Sequence, residues 1–315
     1  MKYFMTTALF LAILFGGSKT ARADGYVFAG GVFTPINVPG SSETDVYGIN
    51  NSGQVVGFFA NSTGEYGFVD SGGAFTTISV PGSYTTIATG ISNNGQITGV
   101  YTLNGVGATG FIEAGGVFTT ISVPGSLVTV PYGINDQGQA VGVYENSVGG
   151  FDSFSYMDGL FTTISVPGSS QTYVYGINDS GQVAGYFTDS AGGYGFIDAD
   201  GVFTAISAPG SSQTYVIGIN DSGQVVGYDG GAFVYTGGEF NTIDNPFPPG
   251  THIYPYGIND NGQITVNTAP EPSGFIFLLF GLATVGIMAL RASRERTESE
   301  GRERRLNLPF RITAP

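Results

Sequence analysis

The chain contains no cysteine, no tryptophan and a single histidine, His252. Without cysteine, neither a disulfide framework nor a thiolate metal site can form. With one histidine and no Lys or Cys in the central region, the common nucleophile–base pairs are missing as well. Cations are the next absence. All ten Lys and Arg lie at the ends, at Lys2, Lys19, Arg22, Arg291, Arg294, Arg296, Arg302, Arg304, Arg305 and Arg311. Residues 24–272 carry twenty Asp and Glu and no basic residue. Such a region holds together by burial and backbone hydrogen bonds, because Lys/Arg salt bridges cannot form. Nucleic acid is excluded as a partner, since phosphate affinity depends on Lys and Arg releasing counterions. The charged partners left are cations, calcium foremost among oxygen-liganded ions. An acidic exported surface accounts for the same charge without any bound ion.

What the sequence has in abundance is repetition. A Gly-Ile-Asn/Ser triplet recurs six times, beginning at Gly48, Gly90, Gly133, Gly176, Gly218 and Gly257, at spacings of 39 to 43 residues. A Pro-Gly turn precedes each triplet, and a Gly-Gln pair follows it (Gln54, Gln96, Gln139, Gln182, Gln224, Gln263). The fourth copy spells out the unit. Phe161–Val166, Thr172–Ile177, Gln182–Phe187 and Tyr194–Asp198 read as four strands, separated by Pro-Gly, Asn-Asp-Ser-Gly and glycine-containing turns. Nothing before residue 273 has helical periodicity. Four strands in about 42 residues is the size of a propeller blade.

The ends of the array complement each other. The sixth copy lacks its fourth strand, and an orphan equivalent, Tyr26-Val27-Phe28, stands ahead of the first copy. The expected fold is all-β: a six-repeat β-propeller over 24–269, closed by the N-terminal strand. An open β-solenoid is the alternative, but it leaves the matching ends unexplained and normally carries separate caps.

Residues 1–23 read as a secretory signal with Lys2 as its basic region and Ala21-Arg22-Ala23 as the cleavage motif, Ala21 and Ala23 being the small residues. Behind the array come Pro270-Glu271-Pro272, an uncharged apolar stretch 274–290 of transmembrane-helix length, and Arg291, Arg294 and Arg296. This order over 270–296 resembles the PEP-CTERM sorting signal of Gram-negative bacteria that make exopolysaccharide. The resemblance implies processing by an exosortase-type membrane enzyme, a transient inner-membrane anchor, and delivery to the cell surface or extracellular matrix. By it, Pro270, Glu271 and Pro272 are the recognition element and the three arginines the stop. The chain departs from that family by continuing through a polar tail, 297–315. The repeats resemble the HAF-type extracellular repeat family through Tyr175-Gly176-Ile177-Asn178-Asp179-Ser180-Gly181-Gln182-Val183 and its copies. Where that family has His-Ala-Phe, this chain has Gly67-Phe68, Gly110-Phe111, Gly195-Phe196 and Ala232-Phe233.

Three sets of residues are candidates for chemistry. Asp136, Asp179, Asp221 and Asp260, in Asn-Asp-x-Gly turns, offer oxygen ligands for calcium; turn formation alone explains the same residues. Tyr132, Tyr173, Tyr215, Tyr254 and Tyr256 lie near turns and, if partly exposed, offer faces for a glycan. The other repeated aromatics (Phe75, Phe118, Phe161, Phe203, Tyr175, Tyr186, Tyr194) read as core between units. A carboxylate pair for glycoside hydrolysis would break the repeat, and Glu145, Asp152 and Asp158 of the irregular third copy do so. The leading expectation is a non-enzymatic surface or matrix protein with no cofactor and exopolysaccharide as a candidate partner. The alternatives are a calcium-assisted glycan-binding module and, more remotely, a glycosidase.

Overall fold

The computed structural model describes residues 25–103 and 106–270. The signal sequence with Ala21 and Ala23, the sorting residues Glu271, Pro272, Arg291, Arg294 and Arg296, and the apolar segment 274–290 all lie outside them. The described residues form strands and turns with no helix, and so contain no helix long and apolar enough to cross a membrane.

The chain opens with β1 (Gly25–Ala29) and β2 (Val32–Ile36). Antiparallel meanders follow, each running from an inner to an outer strand. The first is β3 (Glu43–Ile49), β4 (Val55–Asn61), β5 (Gly64–Ser71) and β6 (Ala74–Ile78). The second is β7 (Thr85–Ile91), β8 (Ile97–Leu103), β9 (Val106–Ala114) and β10 (Val117–Ile121). Next come β11 (Thr129–Ile134), β12 (Ala140–Glu145), β13 (Phe151–Met157) and β14 (Leu160–Ile164). The fourth copy gives β15 (Gln171–Ile177), β16 (Val183–Thr188), β17 (Gly193–Ala199) and β18 (Val202–Ile206). The fifth gives β19 (Tyr215–Ile219), β20 (Val225–Tyr228), β21 (Ala232–Thr236) and β22 (Glu239–Thr242). The last two strands, β23 (Thr251–Ile258) and β24 (Ile264–Pro270), are joined by the first two in the order β2-β1-β24-β23.

The N-terminal strand therefore completes the C-terminal sheet, with Gly25 opposite Asn267 and Phe28 opposite Ile264. A single parallel bridge, Glu65 to Thr85, joins the first two meanders into one eight-stranded sheet. The inner strands β3, β7, β11, β15, β19 and β23 each touch the next, and β23 touches β3. The array closes on itself as a β-propeller arrangement, and the open solenoid is not what forms.

The repeated residues explain the packing. Phe68, Phe111, Phe154, Phe196 and Phe233, on the third strands, are at most 2 % exposed. Each lies against an outer-strand phenylalanine (Phe75, Phe118, Phe161, Phe203, Phe240) with ring centroids 5.0 to 5.7 Å apart. Fully burying one such ring contributes about 1.5–3 kcal/mol relative to exposure. The glycine before the ring lets neighbouring sheets approach: a Cβ on Gly195 would sit 2.4 Å from the Val216 side chain of the next copy. The Gly-Phe pair is thus a packing motif here.

Candidate functional site at the axis

The Gly-Ile-Asn triplets end the inner strands, so their turns meet around the axis at one pole. Two concentric sets of side chains join copy to copy there. In the inner set, the buried Asn50, Asn135, Asn178, Asn220 and Asn259 each receive, on Oδ1, the backbone N–H of the glutamine four residues on. Their Nδ2 groups donate to a carbonyl of the following copy: Asn50 to Ser92, Asn135 to Asn178, Asn178 to Asn220, Asn220 to Asn259 and Asn259 to Asn50, at 2.9–3.2 Å. Ser92 keeps the local role through its Oγ but has no amide to pass on.

The outer set is a complete circle. The backbone N–H of Asn51 donates to Asn93 Oδ1, Asn93 to Asp136, Asp136 to Asp179, Asp179 to Asp221, Asp221 to Asp260, and Asp260 back to Asn51, at 2.6–2.9 Å. Hydrogen bonds to a charged group are worth about 1.5–3 kcal/mol in favourable burial, and less where water competes. Two amides also reach across: Asn51 Nδ2 to Asp260 Oδ2 at 2.6 Å and Asn93 Nδ2 to Asp179 Oδ2 at 3.2 Å. Each of the proposed calcium ligands Asp136, Asp179, Asp221 and Asp260 thus has at least one carboxylate oxygen committed to an amide of another copy, and Asp179 and Asp260 have both. Among the described residues no three His, Cys, Asp or Glu are grouped to hold a metal ion.

These rings border a cavity of about 60 Å³. That is room for a few waters, and less than the roughly 150 Å³ of an enclosed cavity that takes up benzene. The carboxylates crowd one another: burial first, then the charges of Asp179 and Asp260, raise the Asp221 carboxyl to about 6 against the lowering effect of the Asp179 amide.

Above the cavity the axis is filled with phenols. The inner-strand ladders slip in register just before each Gly-Ile pair, as between Val46 and Gly48 or Val174 and Gly176. Up to the slip ordinary strand alternation holds, so Tyr173 and Tyr175 both join the central cluster while Val174 packs between copies; past the slip Ile177 falls on the side of Val174. The partial exposure expected for the five turn-proximal tyrosines holds for Tyr132, Tyr215 and Tyr256 and is corrected for Tyr173 and Tyr254. Tyr254 is fully buried and Tyr173 is 5 % exposed. Tyr132, Tyr215 and Tyr256 are half-buried and pack on the same cluster. Tyr132 lies edge-on to Tyr175 at 5.2 Å, Tyr256 edge-on to Tyr47 at 5.1 Å, and Tyr215 stacks on Tyr186 at 4.3 Å. Burial pushes the Tyr173 phenol up to about 12 and those of Tyr47, Tyr175 and Tyr256 well above their ordinary value. Sequence position near a turn did not reveal which way a ring points; its place in the inner-strand alternation decides that.

One member of this layer breaks the repeat and was not foreseen. Asp45 is 4 % exposed, where the other copies have Ile87, Val130, Tyr173, Tyr215 and Tyr254. Tyr47 and Asp45 Oδ2 meet at 3.5 Å. Its signal in the sequence was an acid inside a β-branched, aromatic inner strand.

The third-copy acids do not converge. Tyr144 stands opposite Asp152 and Glu145 opposite Phe151, so Glu145 and Asp152 project from opposite faces of the sheet. Asp158 lies past the far end of β13 from Asp152, about 20 Å along the strand, beyond the separations glycosidases use. Asp152 accepts from Asn146 Nδ2 at 3.2 Å. His252 Nδ1 lies 3.3 Å from the Tyr228 hydroxyl.

No protein-family model matches the chain, and comparison with curated proteins gives no match. Solved structures do resemble it. A putative TolB from Agrobacterium tumefaciens superposes with a TM-score of 0.60 at 12 % identity, over 80 % of this chain and 99 % of that one. TolB from Acinetobacter baumannii superposes with a TM-score of 0.52 at 11 % identity, over 85 % of this chain and 68 % of that one. At such identities the likeness is one of fold.

Proposed function

We propose that this chain is an exported, non-enzymatic scaffold: a six-bladed propeller of the bacterial cell surface or extracellular matrix. In this reading the signal at 1–23 directs export. The segment 274–290 spans the inner membrane transiently, and Pro270, Glu271 and Pro272 present the chain to an exosortase-type enzyme. The blade count rests on the inner strands β3, β7, β11, β15, β19 and β23, each starting a four-strand set once β1 and β2 join β23 and β24.

The observation that carries the proposal is the circle of Asx–amide hydrogen bonds. The most regular polar residues of the repeat already serve to join one copy to the next, and the acids that break the repeat do not pair. That is the chemistry of a scaffold. The second reading, calcium-assisted glycan binding, draws on the crowded carboxylates at the axial pole.

The test is retention of purified residues 24–270 on the producing organism's own exopolysaccharide, with calcium and then with chelator. Retention unaffected by chelator supports the scaffold reading with polysaccharide as partner. Retention lost on chelation favours the calcium-dependent module. Turnover of the polysaccharide would overturn the non-enzymatic assignment.

A further inference from the structure

The outer strand of each four-strand set has a partner on one side only among the described residues: β2, β6, β10, β14, β18 and β22 end their sheets. Such edges template pairing with another chain, and proteins usually blunt them with charge, proline or a covering loop. Four of the six are guarded, two by the strand's own residues or a cover and two by an exposed acid in the preceding turn. β2 carries Pro35 and lies under Phe247, whose ring is 5.4 Å from that of Phe33. β22 begins with Glu239. β14 and β18 follow turns holding Asp158 and Asp200.

β6 (AFTTI) and β10 (VFTTI) have none of these guards. They are β-branched, uncharged and adjacent in the circle, and they belong to the one eight-stranded sheet. The acids of their preceding turns are turned inward: Asp70 and Glu113 are buried, 4 % and 8 % exposed, and accept the amides of Gly73 and Gly116. Thr76, Thr77, Thr119 and Thr120 are exposed beside Val117, which is 66 % exposed.

We propose that β6 and β10 form a self-association surface whose partner is a second copy of this chain. Two arguments select that partner. The described residues carry acids and no Lys or Arg, so two copies repel wherever their charged turns face each other. At β6 and β10 that repulsion is absent. An unpaired strand edge also offers donors and acceptors in alternation, so it is complementary to itself across a two-fold axis. The inference rests on the scaffold reading and gives it a mechanism, in which linked propellers build matrix.

The experiment is sedimentation of residues 24–270, which contain every strand and the core of the described residues, without polysaccharide, from micromolar to near-millimolar concentration. The expected result is a mass that rises with concentration toward that of a dimer. The pair Thr76→Lys and Thr119→Lys should weaken association at least about tenfold, while Ser52→Lys with Ser180→Lys, on the axial turns, should not. Amide exchange on the unmodified protein is a second readout in case the lysine pair misfolds. Amides of β6 and β10 should gain protection with concentration, and those of β2 and β22 should not. A mass that stays monomeric throughout, or equal weakening by both lysine pairs, overturns the proposal. Because no polysaccharide is present, failure here is distinct from failure to bind it.

Discussion

Asp221 shows how a repeated residue can serve the fold and strain it together. Its Oδ1 receives the Asp179 amide, while Asp179 and Asp260 oppose its charge. Copies one and two make the same contact with Asn51 and Asn93, whose amide oxygens accept at 2.9 and 2.8 Å and carry no charge. Asp221→Asn should therefore leave the thermal midpoint unchanged or raise it at neutral pH. Asp179→Ala, which strands the Asp136 amide, should lower stability by about 1–2 kcal/mol in urea unfolding. The sign of the pH dependence follows from the raised carboxyl. A folded value near 6 against an ordinary 3.8 means the folded state holds the proton more tightly. Asp221's contribution is then fully present below pH 3.8 and is lost as pH rises through about 6. Glu43 and Asp198, raised chiefly by burial, act in the same direction. Midpoints measured across this interval should fall toward neutrality, and less so in Asp221→Asn. The Asx turns were legible as turns because Asx side chains cap nearby amides. Their acceptance from a residue one whole copy away was not, since nothing local marks it.

The inner strand is the element that sets the axis, and a bulge interrupts its ladder before the Gly-Ile pair. Opposite it, the second strands carry Gly57, Gly99, Gly142, Gly185 and Gly227, and a Cβ there would lie 1.9–2.1 Å from a carbonyl of the inner strand. No side chain fits such a gap without moving the ladder. Gly185→Ala should cost at least about 3 kcal/mol, at the upper end of single substitutions, read as a drop in urea midpoint with m unchanged. The sixth copy has Val266 in this place, opposite Pro255. Strand positions themselves were readable from β-branched runs between turn residues. For the fourth copy the expected Thr172–Ile177 and Gln182–Phe187 correspond to Gln171–Ile177 and Val183–Thr188. Orientation was less readable. One extra residue in a strand reverses which side chains face inward, and that extra residue leaves no compositional trace.

At the scale of the whole molecule, closure depends on five residues. β1 pairs with β24 on one side and β2 on the other, so a break in it opens the circle and bares both flanking edges. Val27→Pro should lower the midpoint by more than about 5 °C, since proline removes a ladder donor from a strand paired on both sides. Amide exchange should accelerate first in β24 and β2. The matching ends made this seam visible in the sequence: Tyr26–Phe28 meets Ile264–Val266 as the missing strand of the last copy implied. The seam also has a mechanical character. β1 and β24 are antiparallel, with Gly25 and Asn267 opposite one another at the same end of the ladder. Tension between the two chain ends would therefore load the hydrogen bonds one after another, as in a zipper, instead of shearing them together. Pulled by its termini, the ring gives way at the strand that closes it before force reaches the axis.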